Sequence, residues 1–489
     1  MGILSEAEIA RKERSTIERT SAKDPLRNFS LREPLPVANT NPLGTTLFLL
    51  SIALAFLALS PTASFPQSSL ATDCTLYAAA NGNDANSGTS PSAPKTLNGA
   101  NAAAQPGAVV CLKGGTYNLT NTFYPARSGT AAQWIVFKNY GDSDVNIVWA
   151  TGDTGNPMIH MQNGRNYIEF RGLRLDGVNV NRIPFKCNSS HHLRFIGNHI
   201  KYGGVAGIAT KNCDYTYSEG NQIYHNGYNG GWGSGISYNS DYYFDTYAGF
   251  HNYVLNNIIS GTFDSSSYHT DGNGIMMDLG GSTPPVLIAN NVVYMNGGRC
   301  INYLQRTNVW IVNNTCYKNG LDLSATFAEF TSNQSSNGYF VNNIAWAWNN
   351  RQTYQNWSSS NIQFYKNLYY EGGLSFTPSD PSQWINANPQ LVDPPVLNPT
   401  AGGQYANAIP PEQIGNRLNI RAGSPAIDKG IDPTTIPGVS AEIIAGLRQH
   451  VFKDITGKTR PQGSGFDLGA YEYGASSTAP AAPTALRLR

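Results

Sequence analysis

The chain has 489 residues, only 13% of them charged, and a formal net charge of +1. A balance this close to neutral excludes a nucleic-acid binder that works by bulk charge, so any polyanion has to be met by a local patch. The length would hold about two to four average domains, yet elongated β folds run this long as one unit.

In chain order, residues 1–42 are a charged extension expected to lie outside the fold and to be disordered. The run LGTTLFLLSIALAFLALS (43–60) is uncharged and apolar, and PTASFP follows it. Residues 43–66 therefore read as a secretion signal or a single membrane anchor, which places the protein outside the cell or on its surface. In such a compartment the six cysteines can pair. Cys74 and Cys111 lie in two strand-like runs, CTLYAAA and VVCLKGG, and are the favoured pair. Cys187 with Cys213 and Cys300 with Cys316 are open alternatives to buried free thiols. NGNDANSG (81–88) offers one acid among carbonyls, which fits a polar loop better than a calcium site.

A repeat follows. FRGLRL (170–175), FIGNHI (195–200), SEGNQI (218–223), VLNNII (254–259), IANNVV (288–293), IVNNTC (311–316), FVNNIA (340–345) and FYKNLY (364–369) share one pattern. An apolar strand meets Asn or Gly, and a second short strand begins. Spacings of roughly twenty to thirty-five residues mark a solenoid whose extra residues bulge as loops. Asn at the turn tolerates left-handed geometry and can bond the backbone of the next coil.

On these residues, 107–375 resembles the right-handed parallel β-helix of the pectate lyase superfamily. YAAANGNDANSGTSPSAPKTL (77–97) with the following NGANAAAQPGAVVCLKGGTYN resembles the start of exported β-helix polysaccharide lyases. The resemblance implies an all-β, single-stranded right-handed parallel β-helix (a pectin lyase-like solenoid) over 72–375, with a short N-terminal capping helix. NANPQLVDP, RAGSPAIDKG and TRPQGSGFDLGAYEY (386–473) resemble the C-terminal region of bacterial surface-associated β-helix proteins of the choice-of-anchor type. Residues 376–474 are accordingly expected to pack on or cap the β-helix, and 475–489 to form an Ala/Pro-rich tail.

Alternation gives each side chain a direction. The pairs Ile159/Met161, Ile183/Phe185, Ile208/Thr210, Ile236/Tyr238, Ile275/Met277 and Ile301/Tyr303 are expected inside. One outward column then reads His160, Pro184, Ala209, Ser237, Met276, Asn302, and the next Gln162, Lys186, Lys211, Asn239, Asp278, Leu304. In the second column Lys186 and Lys211 would stand about 4.8 Å apart, each disfavouring the other's charge, so that one could serve as a base.

The longest loops, 227–235, 241–251 and 261–274, adjoin that column, and long loops on a rigid solenoid line binding grooves. They bring Trp232, Tyr242, Tyr243 and Tyr268 as flat surfaces for sugar rings. HTDGNGIMMD (269–278) adds His269, Asp271 and Asn273 as a rim, although Asp before Gly is also an ordinary turn device. Arg299, one coil further, can reach the same groove end.

The resemblance implies a carbohydrate-active protein, first of all a polysaccharide lyase acting by β-elimination on an acidic, uronate-containing glycan. That reaction needs the C5 proton removed while the neighbouring carboxylate is neutralised. Lys211 assisted by Lys186 is the candidate base, and Arg299 a carboxylate clamp with His269 beside it. Asn239, Asn273, Trp232, Tyr242, Tyr243 and Tyr268 are candidate substrate contacts, and Asp241, Asp271 and Asp278 candidate Ca2+ ligands. A C5-epimerase would use the same first step. A hydrolase would need two carboxylates, Asp271 with Asp241 or Asp264, about 6.5–9.5 Å apart. A non-catalytic glycan-binding surface protein or adhesin is the alternative of a different class. The partner expected is an acidic polysaccharide rather than a nucleic acid, and the protein is expected to be a monomer.

Overall fold

A computed structural model describes residues 73–180, 183–397 and 408–474. The extension 1–42, the apolar run and the Ala/Pro tail lie outside the described residues. Short strands coil into three parallel sheets, two of eleven strands and one of eight among the described residues, each strand pairing with its equivalent one coil away. From Ile135 to Trp357 each coil runs through the first sheet, the second and then the third, as in Ile168–Arg171, Arg174–Asp176 and Phe185–Asn188.

The expected capping helix is Leu97–Ala103; the Thr96 side chain accepts from the Gly99 N–H at its start. Asp84 of the NGNDANSG loop accepts from the backbone N–H and hydroxyl of Thr96. This carboxylate thus fastens the loop to the helix start, in line with the polar-loop reading.

The Asn-rich turns are a ladder. Asn198, Asn221, Asn257, Asn291, Asn314, Asn343 and Asn367 stack between the first and second sheets. In each step the next coil's Oδ1 accepts from both the backbone N–H and the Nδ2 of the residue before it. In the doublets the two residues divide the work. Asn256, Asn290, Asn313 and Asn342 take the left-handed turn, with φ of 55 to 57°, and the following Asn is the buried rung. A buried amide ladder satisfies donors that an apolar side chain would orphan.

Inside the coils, Phe137, Phe170 and Phe195 stack, as do Phe340 and Phe364. Between these stacks the first sheet carries Ser218, whose hydroxyl meets Tyr238 Oη at 2.7 Å. Where the third sheet begins, Gly207, Gly235 and Gly274 leave room for Ile223, Ile259 and Val293, which a Cβ there would strike. One rung on, Cys300 takes that position and bonds Cys316, the rung neighbour of Val293. On the next rung Glu329 takes it, near Ala345. Glu329 accepts the backbone N–H and Nδ2 of Asn319, at 2.8 and 2.7 Å. Cys74–Cys111 and Cys187–Cys213 are also disulfides, so all six cysteines are paired.

The C-terminal region packs on the coil. Trp384–Asn386 adds one more strand to the second sheet, beyond the boundary at 375 read from the sequence. Leu391, Ile414, Leu418, Leu468 and Tyr471 then bury the apolar outer face of the second sheet at Tyr294, Tyr317, Ile344 and Leu368. The helix Ala441–His450 brings His450 against Tyr217 and Tyr253 of the first sheet.

Candidate active site

The outer face of the third sheet is built by eight four-residue strands, and their register decides which side chains meet. Phe185 pairs with Ile159 and Ile208, and Cys187 with Met161 and Thr210. The inward pair of this coil is therefore Phe185/Cys187, not Ile183/Phe185. Two constraints set the shift. Pro184 has no N–H for the ladder and stands before the strand, and Cys187 must face inward to bond Cys213.

The corrected columns read His160, Lys186, Ala209, Ser237, Met276, Asn302 and Gln162, Asn188, Lys211, Asn239, Asp278, Leu304. Lys186 keeps its outward direction, since a slip of two preserves the face. It stands one column from Lys211, diagonal to it rather than beside it. Lys211, Asn239 and Asp278 do occupy one column on successive rungs. Asn239 Nδ2 donates to Asp278 Oδ2 at 2.9 Å, and Ser240 Oγ donates to Asn239 Oδ1 at 2.7 Å.

The basic end has a member that sequence reasoning placed on the face without a role. His160, the rung neighbour of Lys186, is buried, and its Nε2 has no hydrogen-bond partner. Burial first, and the Lys186 charge second, pull its pKa down to about 4, so the ring is neutral at physiological pH. Burial likewise lowers the pKa of half-buried Lys186, with the Lys211 charge adding to it. Lys211 is exposed. A neutral imidazole with an unpartnered Nε2, an amine whose charge is disfavoured and an exposed lysine thus share one patch. Such perturbed groups on an accessible face mark functional-site candidates.

Two sets of aromatic side chains flank the floor. In the connections that enter the third sheet, Trp232 and Tyr268 are exposed and stacked, with ring centroids 5.1 Å apart and planes 18° from parallel. In the connection that leaves it, Tyr242 and Tyr243 are exposed, and Tyr243 Oη donates to the Thr283 carbonyl.

Other expected site residues are loop architecture. Asp264, 1% exposed, accepts the backbone N–H groups of Ser266, Thr270 and Asp271, and so shapes the segment before Gly272. His269 is held by its Nδ1 against Asp322 Oδ2 at 2.7 Å. Arg299 is 3% exposed, lies over Phe327, and donates to Thr331 Oγ1 and the Thr270 carbonyl. It clamps the rim loop instead of presenting a guanidinium to a substrate. Asn273 is fully buried and bonds Asp271, Ser234 and the Arg299 N–H.

The expected calcium set does not assemble. Asp241 is 4% exposed and pairs with buried Arg306 at 2.7 Å, a partner 65 residues away that the loop reading did not consider. Asp278 is bonded across the floor to Asn239, and Asp271 to Asn273 in the rim. Among the described residues the one cluster with metal-ligand spacing is Cys300, Cys316 and Glu329, and its sulfurs form a disulfide.

A second cluster, on the turn into the first sheet, also escaped the sequence reading. Tyr167, His192, Tyr215 and His251 stack in a column with centroids 4.4 to 4.6 Å apart. His251 Nδ1 meets buried Asp214 at 2.8 Å and its Nε2 meets the Tyr247 carbonyl at 2.9 Å. Asp214 also accepts from Phe244 N–H and Asn252 Nδ2, so the pair anchors the 241–251 loop.

The architecture is that of a pectate lyase-like right-handed parallel β-helix. The pectate lyase Pel9A aligns over 83% of this chain and 98% of its own, at TM-score 0.50 and 19% identity. XylC, in its complex with xylose, covers 65% of this chain and 87% of its own at TM-score 0.42 and 10% identity. The alginate lyase from Paenibacillus sp. str. FPU-7 covers 53% and 92% at TM-score 0.35 and 19% identity. No family model matches the chain, and no curated protein matches it. At such identities the likeness establishes the fold, and the site has to be argued from its own residues.

Proposed function

We propose that the protein is a carbohydrate-active enzyme that takes an acidic, uronate-containing glycan along the outer face of the third sheet and cleaves it by β-elimination. The observation that carries this reading is the position of half-buried Lys186 between His160 on one rung and, diagonally on the next, exposed Lys211. With its charge disfavoured by burial and by Lys211, Lys186 replaces Lys211 as the base. Its amine takes the C5 proton, the C5–H electron pair becomes the C4–C5 double bond, and the C4–O bond breaks. The leaving oxygen takes its proton from water. Lys211 meets the substrate carboxylate, whose neutralisation makes the C5 proton more acidic. Trp232, Tyr268, Tyr242 and Tyr243 offer ring faces along the groove.

A C5-epimerase would share the first step and differ in returning the proton. Hydrolysis by paired carboxylates fits less well, because Asp241 and Asp264 are both buried and engaged. An extracellular or surface location is part of the proposal; the apolar run 43–60 and three disulfides support it.

The test is incubation of the purified protein with pectate, alginate and glycosaminoglycans, with calcium or chelator, following the ultraviolet absorbance of unsaturated uronates. A rise that disappears in Lys186→Ala is the expected result. No rise with any polymer would sink the lyase reading, and reducing-end and binding assays on the same samples would then separate hydrolase from adhesin.

A further inference from the structure

The outer face of the second sheet changes character along the coil. One column runs Thr116, Asn146, Arg174, His199 and Gln222, then turns apolar at Ile258 and Val292. The C-terminal region covers the apolar part, where Tyr294 Oη donates to the Ile409 carbonyl, and reaches the last polar coil, where Tyr224 Oη donates to the Ala408 carbonyl. Where this cover stops, the short helix Pro411–Ile414 leaves a cavity of about 260 Å³ over the polar coils, with Glu412 at its edge.

The lining suits a ligand dense in hydroxyl groups. Lys201 and Asp176, paired at 3.2 Å, both line the cavity and can together donate to and accept from a hydroxyl, and Arg174, paired at 2.9 Å with Asp144 outside the lining, adds donors. Asn146 and Gln222 add amides, and Gln222 Oε1 is buried with no partner. Glu412 is the second carboxylate of the lining beside Asp176, against the cations of Arg174 and Lys201, and burial of His199 favours its neutral ring. The lining is therefore charge-balanced, with both cations already paired to carboxylates, unlike the basic end of the third-sheet floor. The volume falls just below the roughly 300–1,000 Å³ of drug-sized ligand sites, which is room for a single ring.

We propose that this cavity is a second binding site, separate from the third-sheet groove, for one uncharged sugar residue. The choice of a sugar rests on the carbohydrate-active reading above; the exclusion of a uronate rests on the cavity's own charges. A glycan that alternates or branches between acidic and neutral residues could then engage both faces.

The experiment is proton NMR of the full chain, following the His199 ring signal, assigned by its loss in His199→Gln. The probes are D-xylose, D-galactose, D-glucose and D-galacturonate. At least one neutral sugar is expected to shift that signal with affinity on the order of millimolar, and galacturonate to bind at least about tenfold more weakly. Asn146→Trp, which fills the cavity, should abolish the shift, and Glu412→Lys, on an exposed side chain, should bring galacturonate to within a few fold of galactose by making the balanced lining positive. The proposal is overturned if no neutral sugar moves the signal, if galacturonate binds as well as they do, or if both variants bind like the parent. Uronate elimination is read separately by absorbance, and Asn146→Trp should leave it unchanged, so the two readings can fail independently.

Discussion

Lys186 lies opposite Ala209, two residues before Lys211 on the adjacent strand, and of the two lysines it is Lys186 whose charge burial and its neighbour disfavour. On the proposed elimination, the more buried Lys186 would be the base and exposed Lys211 would meet the carboxylate.

Lys186→Ala should lower kcat by about 10²- to 10⁴-fold, the range for a lost general base. In the parent protein, activity should rise with pH through a value below the ordinary lysine pKa of 10.5. Lys211→Ala removes the repelling charge, so that limb should move to higher pH while KM rises. A pH profile of kcat/KM for the parent and Lys211→Ala checks both, and an unmoved limb would remove Lys186 from the role.

Asp241→Ala should cost about 3–5 kcal/mol, because it leaves the buried Arg306 guanidinium without its counter-charge. Thermal or urea unfolding measures the loss. A calcium ligand would behave differently: stability would change little without metal, and the variant would alter the response to added calcium.

Glu329 gives a pH dependence of stability with a definite sign. Burial pushes its carboxyl up to about 8 from 4.5, against the opposing effect of the Asn319 hydrogen bonds and the Arg351 charge. The folded state binds the proton more tightly, so this contribution is fully present below about pH 4.5 and is lost as pH rises through about 8. The fall in Tm between pH 5 and pH 9 should be smaller in Glu329→Gln than in the parent.

His251, held against Asp214, gives a second pH dependence of stability. Burial alone would lower the His251 pKa, but the hydrogen bond and charge of Asp214 outweigh it, with Tyr247 and Asp245 adding, and the net shift is upward. Its contribution is therefore present below the ordinary value of 6.5 and lost as pH rises through the higher folded value. An NMR titration should show His251 above 6.5 in the parent and lowered in Asp214→Asn. An unchanged titration would mean that Asp214 does not hold the loop through charge.

Trp232→Ala should raise KM by about two- to thirteenfold, in keeping with loss of one aromatic contact of about 0.5–1.5 kcal/mol, and leave Tm unchanged since the ring is 57% exposed. Steady-state kinetics with a parallel melting curve separates this from a folding defect.

The sequence alone determined the coil. Alternation is a local property with period two, so it told that Lys211, Asn239 and Asp278 face outward and share a column, and the Asn doublets told where each coil turns. The Cys74–Cys111 bridge followed from two adjacent strands. Only the tertiary structure decided what depends on partners distant in sequence. The column of Lys186 was set by Pro184 and by the bridge from Cys187 to the next coil, two influences that periodicity does not weigh. The Arg306 that neutralises Asp241, the Asp322 that holds His269 and the Phe327 and Thr331 that occupy Arg299 all come from later coils. The isolation of His160 Nε2 depends on what does not reach it, which no motif encodes. A strand's face is written in its neighbours along the chain, whereas the charge state and freedom of each group on that face are set by coils stacked above and below.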